Sequence, residues 1–344
     1  MGKIKRSGAL AAACMLLFLA AVPKEAYGAG AIETEKTDCS MEFSLGNDFG
    51  ELDSLSIPVA VYRVAEVDVS GSYQAESAYS GLGLDGVNSG TTAADWEEMA
   101  EKAAQIAAPG ALDEDGRIAV QNLPAGSRTP DAKTTVSGAE ETVLGDLATG
   151  MYLVLAFTVD SAEYQYSFAP CLVSVPGNGY YDGGGDAWLY DVSVALKPDR
   201  TERFGNLEIT KALDSYHTGS GASFIFQVEA QKTIDGVQTT VYSDVVQLTF
   251  DAPGSKSLLI ENEIPAGASV TVTEIYKGAA YEVSGSDVQI VTVSADNTAS
   301  AAFTNTYNEQ LNGGSSIVNN FQPVLAEGEN GEEIVENWQW TQIQ

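Results

Sequence analysis

The chain has 344 residues and a formal net charge of −31, from 48 acidic against 17 basic residues. That length supports two domains with separate cores, and that charge argues against nucleic acid or anionic membrane as partners and for a well-solvated extracellular surface. The only histidine, His217, falls in a Ser/Gly turn, so a Ser-His-Asp triad or a histidine-rich metal centre has little support, and neither metal nor cofactor is expected.

Residues 1–28 read as a secretory signal: Lys3, Lys5 and Arg6 precede the apolar run 9–22, and small residues around Ala26 to Gly30 offer cleavage sites. The run is short for a membrane anchor, so the mature chain is expected to be secreted and to carry no span.

Cys39–Leu45 and Ile57–Val67 alternate as strands, the first with Cys39, Met41, Phe43 and Leu45 inward. A helix is expected over 93–108, capped by Thr92 or Asp95, with Trp96, Met99, Ala100, Ala103, Ile106 and Ala107 on its core face. The acidic run Asp113 to Gly116 lacks the remaining oxygen ligands of a calcium loop and reads as a hairpin turn before a strand over 117–120.

Strands follow at 144–157, interrupted at Thr149-Gly150, and at 166–175, where Cys171, Val173 and Val175 share a phase. Two inward cysteines in an exported chain fit either a Cys39–Cys171 disulfide or two buried thiols. In the segment 188–198, Tyr190, Val192, Val194 and Leu196 point inward and Lys197 outward. Tyr180, Tyr181 and Tyr190 could stack on a glycan, with packing in the core or loops as the simpler role. Polar residues 199–203 read as a linker that closes a domain of about 34–200.

Strands expected at 206–213, 222–230, 238–250, 257–261, 269–276, 280–284, 288–294 and 299–307, with Gly, Pro and Asp turns between them, predict a β-sandwich over 204–308. Residues 309–344 form an acidic C-terminal extension, read as a further strand or a tail.

Three polar residues break the inward pattern of this second domain. Lys211 shares its phase with Leu207, Ile209 and Leu213; Glu274 with Val270, Val272 and Tyr276; Asn305 with Ala301, Phe303 and Tyr307. Each alone has an ordinary reading, as a snorkelling lysine, a bulged glutamate or a turn asparagine. Together they fit one explanation. A desolvated Lys211 amine becomes nucleophilic, Glu274 hydrogen-bonds and polarises the Asn305 carboxamide and moves protons, and ammonia leaves behind a Lys211–Asn305 amide.

The stretches Ile209-Thr-Lys211, Ile264 to Glu274 and Phe303-Thr-Asn-Thr-Tyr307 resemble the isopeptide-forming B-type domains of Gram-positive collagen adhesins and pilins. The resemblance implies Lys211 and Asn305 as the bonded pair and Glu274 as the catalytic acid, with Asn319 or Asn320 as a secondary candidate acceptor. Residues 150–154, 168–176 and 188–197 resemble the N-terminal domain of sortase-assembled pilin subunits. In such pilins the last motif supplies the lysine that accepts the next subunit. Lys197 takes that place, although Ala195-Leu196 stands where a Tyr-Pro pair is usual. The strand 39–45 has no inward lysine, so no isopeptide is expected in the first domain, where the disulfide would take its place.

The expected fold class is therefore mainly β: two tandem Ig-like (B-type collagen-adhesin) β-sandwiches, the first with one helical insertion. The expected role is a structural pilin-like or adhesin protein of the cell surface, cross-linked by itself and otherwise without enzymatic activity. Its expected partners are other pilin subunits joined through sortase, or a host protein or glycan. The last residues, Glu336 to Gln344, contain no LPxTG-like motif, so either the frame continues or the protein is released or held by other contacts.

Overall fold

Period-two alternation of β-branched and aromatic residues with polar ones makes strands of most of the chain. The computed structural model describes residues 30–45, 49–88, 90–138, 140–178, 187–218, 221–309, 318–327 and 333–343. The expected signal, 1–28, lies outside the described residues, as do Tyr180 and Tyr181. Among the described residues, no helix is long and apolar enough to cross a membrane.

The first part contains β1 (Cys39–Leu45), β2 (Ser56–Val67), β3 (Tyr73–Ala75), α1 (Ala93–Ala107), β4 (Ala132–Ser137), β5 (Thr142–Leu147), β6 (Gly150–Ala156), β7 (Val159–Asp160) and β8 (Tyr164–Phe168). It continues through β9 (Cys171–Val175), β10 (Gly177–Asn178), β11 (Trp188–Leu189), β12 (Asp191–Leu196) and β13 (Pro198–Glu202). A five-stranded sheet runs β3-β2-β6-β9, with β4 also paired to β2, and a three-stranded sheet runs β12-β1-β5. The two sheets enclose one core around Met41, Phe43, Val61, Val154 and Val194. The opposite face of the larger sheet packs on α1 through Trp96, Met99, Ala100 and Ala103. Both faces of β6 are thus covered, which is why the whole of β6 is buried. Where β2 shifts register against β6, Gly150 is required: a Cβ there would stand 2.6 Å from Ala65 O.

The start of α1 is fixed by a reciprocal capping box. Thr92 Oγ1 accepts from Asp95 N at 3.3 Å, and the Asp95 carboxylate accepts from Thr92 N at 2.7 Å. This satisfies two main-chain donors that a helix N-terminus otherwise leaves unpaired.

Four expectations need correction. Residues 198–202 form no linker: β13 pairs antiparallel with β8, from Pro198↔Phe168 to Glu202↔Tyr164. Its polar composition hides a strand whose partner lies far away in sequence. The strand expected over 117–120 reduces to bridges of Ile118 with Leu112 and Phe168. The strand expected over 166–175 divides at Ala169-Pro170 into β8 and β9, which belong to different sheets. The Cys39–Cys171 disulfide is not formed: both thiols are free, on strands of two different sheets.

Arg203 alone separates β13 from β14 (Phe204–Leu213), so the chain passes between the two sandwiches almost as one strand. Its guanidinium donates to Ser161 O and to Asp296, with Asp160 3.8 Å away. Lys232, 7% exposed, places its ammonium 2.8 Å from Glu163 and 3.2 Å from Glu202. Arg203 of the connection and Lys232 of the second part are thereby held among four acids at the junction.

The second part comprises β14, β15 (Ala222–Ile234), β16 (Val237–Phe250), β17 (Gly254–Pro265), β18 (Ser269–Tyr276), β19 (Tyr281–Val283), β20 (Val288–Thr292) and β21 (Thr298–Tyr307). Two four-stranded sheets, β17-β14-β21-β19 and β16-β15-β18-β20, face each other across Leu207, Ile209, Phe226, Val228, Val270, Val272 and Phe303. Each such aliphatic or aromatic side chain contributes about 1.5–3 kcal/mol on burial, the main term opposing chain entropy. Beyond it, β22 (Val318–Glu327) and β23 (Glu333–Ile343) pair as a separate hairpin, so the acidic extension contains two strands.

Candidate functional site

The alternation in β14 buries Leu207, Ile209, Lys211 and Leu213 and leaves the residues between them half-buried. An ammonium is thus carried to the centre of an apolar face. β14 and β21 are neighbours and parallel, with Lys211 opposite Phe303 and Leu213 opposite Asn305. Asn305 therefore lies one inward position beyond Lys211 on the adjoining strand. Both residues are 0% exposed.

Glu274 comes from the facing sheet. β15 pairs with β18 as Phe226↔Glu274 and then slips to Ile225↔Tyr276, a bulge that accommodates Ile275 as the extra residue. The bulge corrects one expectation: Tyr276 does not follow Glu274 inward but is 36% exposed. One residue inserted into a strand reverses the face of every side chain after it. Glu274 itself remains fixed, its N–H donating to Asp287 O at 2.8 Å.

The three side chains meet. Lys211 Nζ donates to Glu274 Oε1 at 2.8 Å and Oε2 at 2.9 Å, and neither side chain is exposed. Asn305 Nδ2 donates to the same Oε1 at 2.7 Å and to Lys277 O at 3.3 Å. Asn305 Oδ1 is buried without a hydrogen-bond partner. The geometry thus differs from the expectation that Glu274 engages the carboxamide oxygen: the nitrogen faces the acid.

Phe224 and Phe226 complete the enclosure, their ring centroids 4.8 and 6.0 Å from Lys211 Nζ. Burial pushes the Lys211 amine below its ordinary range, against the opposing hydrogen bond and charge of Glu274. A buried lysine whose charge is disfavoured by its surroundings, a carboxylate in contact with it and an adjacent carboxamide are the components of an acyl transfer in which nitrogen replaces nitrogen.

Other sequence candidates lie apart. Lys197 is exposed where β12 ends. Asn319 and Asn320 pair with Gln342 and Thr341 in the separate hairpin. The hydroxyl of Tyr190 accepts from Glu33 N at 2.8 Å, and Lys36 stands over its ring at 5.5 Å, so this tyrosine packs within its own unit. Asp113 accepts from the N–H groups of Asp115 and Arg117, closing the expected turn. His217 stacks on Tyr307 with centroids 4.0 Å apart. Cys171 lies in an apolar site that pushes its thiol up to about 12. Among the described residues, no three His, Cys, Asp or Glu side chains converge as a metal site. Residue patterning missed two contributors, the Lys277 carbonyl and the Phe224–Phe226 enclosure. The first leaves no trace in side-chain chemistry, while the second was legible as inward aromatics of β15.

Residues 207–308 match the family described as a domain of unknown function, DUF5979. Among solved structures, the chain is similar to the minor pilin GBS52 of Streptococcus agalactiae at 12% identity, covering 81% of this chain and 100% of that one, with a TM-score of 0.23. It is also similar to the major pilin SpaA of Corynebacterium diphtheriae at 13% identity, with 78% and 100% covered and a TM-score of 0.24. The TIE protein of Bacillus anthracis matches at 11% identity, with 90% and 44% covered and a TM-score of 0.30. No curated protein matches. At these scores the fold rests on the strand pairing itself, and the chemistry on the side chains of the site.

Proposed function

We propose that the protein is a pilin-like or adhesin component of a cell surface, in which Lys211 and Asn305 join as an intramolecular isopeptide with Glu274 moving the protons. The observation that carries this reading is the contact of the Lys211 and Asn305 nitrogens with one buried oxygen, Glu274 Oε1, at 2.8 and 2.7 Å. A buried ion pair is poor support for stability by itself, because desolvation offsets much of its attraction. A covalent product gives the arrangement a purpose. It ties the first strand of the second sandwich to the last, closing a long loop in the unfolded chain with an effect of several kcal/mol by analogy with a disulfide.

The role is mechanical. Tension that enters at β13 reaches β14 through Arg203 alone, and the bond would carry it to β21 without unzipping the sheet. The cross-linking is a single intramolecular event, not turnover. Lys197, exposed at the end of β12, is the lysine through which a neighbouring subunit would attach by sortase. Export by the 1–28 signal places this chemistry outside the cell.

The test is peptide mapping. Digestion of the folded protein is expected to release a branched peptide joining the Lys211 and Asn305 segments. Recovery of these segments solely as separate linear peptides would refute the cross-link.

A further inference from the structure

The Asn305 carboxamide is held in one orientation by a group other than Glu274. Its nitrogen donates both to Glu274 Oε1 and to the main-chain oxygen of Lys277. Turned over, the carboxamide would set Oδ1 against the Lys277 carbonyl, two acceptors with no proton between them. The turn that presents this carbonyl is tied down on both sides. Gly278 adopts φ +77°, and a Cβ there would approach Tyr281 Cδ2 to 3.0 Å. Tyr281 N donates to Gly278 O at 3.3 Å. From the end of β21, Asn308 donates to Ala280 O at 3.1 Å and, through Nδ2, to Ala279 O at 3.3 Å.

We propose that the Lys277 carbonyl is a positioning group for the cross-linking reaction: it holds the nitrogen of Asn305, the leaving group, against Glu274, and ammonium departs past the turn 277–281. The inference rests on the isopeptide reading above. Lys211 begins as an ammonium beside a carboxylate and transfers one proton to Glu274. The freed lone pair attacks Asn305 Cγ, and the electrons of the carbonyl π bond move to Oδ1. Glu274 delivers that first proton to Nδ2 and, a carboxylate again, takes a second from the nitrogen of the new N–C bond and passes it on by the same route. As the carbonyl re-forms, the Cγ–Nδ2 bond breaks and its electron pair stays with nitrogen. Both protons lost by Lys211 end on that nitrogen, which leaves as ammonium, and Glu274 returns to carboxylate.

As Nδ2 gains protons it becomes a cationic donor, so its bond to the Lys277 oxygen strengthens on the way to the transition state. Beside the turn lies a recess of about 480 Å³, lined by Tyr276, Lys277, Gly278, Tyr281 and Asn308, ample for ammonium to reach water.

The test uses residues 30–344 in two arms. In Lys211→Met, which cannot react, NMR is expected to show nuclear Overhauser contacts between the Asn305 side-chain NH2 and the Gly278 backbone. In Gly278→Ala, which strains the turn but alters no reacting atom, mass spectrometry after pulsed cell-free synthesis should show cross-linking slowed about tenfold, the effect of one weakened transition-state hydrogen bond. Absence of those contacts with the NH2 resonances assigned, or wild-type kinetics in Gly278→Ala, overturns the proposal. An uncross-linked wild-type protein would instead overturn the isopeptide reading, while the first arm would still decide the orientation.

Discussion

Lys211 and Asn305 stand on neighbouring parallel strands, one inward position apart, and their side-chain nitrogens share a single acceptor, Glu274 Oε1. A nucleophile and a leaving group that touch the same carboxyl oxygen need no second residue to carry protons between them. The packing that imposes this contact also excludes water, which would otherwise solvate the amine and, in the proposed reaction, blunt its attack.

Removing one member of the buried pair should cost more than removing both. In an Asn305→Ala background, which abolishes cross-linking, Lys211→Met leaves the Glu274 carboxyl buried without its partner and is expected to cost about 3–5 kcal/mol. Adding Glu274→Leu should recover most of that loss. Denaturant unfolding of the single and double changes measures both steps.

The buried amine gives the uncross-linked protein a pH dependence of defined sign. Burial lowers the Lys211 pKa in the folded state, so between that value and the ordinary 10.5 the unfolded chain binds more protons. Stability therefore rises with pH through this window, and the full cost of burial returns below it. Thermal unfolding of Asn305→Ala should improve with pH relative to Lys211→Met/Asn305→Ala as the pH is raised from about 7 to 10.

At the junction, Lys232 is held by Glu163 at 2.8 Å and Glu202 at 3.2 Å. Burial opposes its charge, but these hydrogen bonds outweigh it and hold the ammonium above its ordinary range. Lys232→Met would leave the two acids facing an apolar tip, with Arg203 still in place. A loss of about 1 kcal/mol is expected, reduced from the fully buried case because both acids are part-exposed. The loss should shrink in high salt, as calorimetry of the variant and the parent can determine.

The helix of the first sandwich depends on its cap. Thr92→Ala removes the acceptor for Asp95 N and should destabilise that unit by about 1 kcal/mol, with Thr92→Ser close to neutral. Gly205→Ala tests a different constraint, since a Cβ there would lie 2.2 Å from Ser294 O. Main chain cannot yield as a side-chain tip can, so this change should cost more than the cap.

Much of the fold was legible because period two is imposed by burial on one face. The inward set Leu207, Ile209, Lys211 and Leu213 is buried, and β1 and β18 begin at their expected residues. What escaped was decided by partners distant in sequence. β13 is polar and becomes a strand because β8 supplies its hydrogen bonds. Tyr276 turns outward because a bulge inserts Ile275, which alternation cannot anticipate. At the site, Lys211, Glu274 and Asn305 were legible as polar intruders on apolar faces. The orientation of the Asn305 carboxamide was not, because it is set by a backbone oxygen, and every residue has one.

The central claim is covalent, so mass decides it. Intact-mass measurement of folded residues 30–344 should give a value below that calculated from sequence by about 17 Da, the mass of one ammonia lost to Lys211 attack. The full mass should return in Lys211→Ala and in Glu274→Ala. An undiminished mass in well-folded wild-type protein would contradict the account.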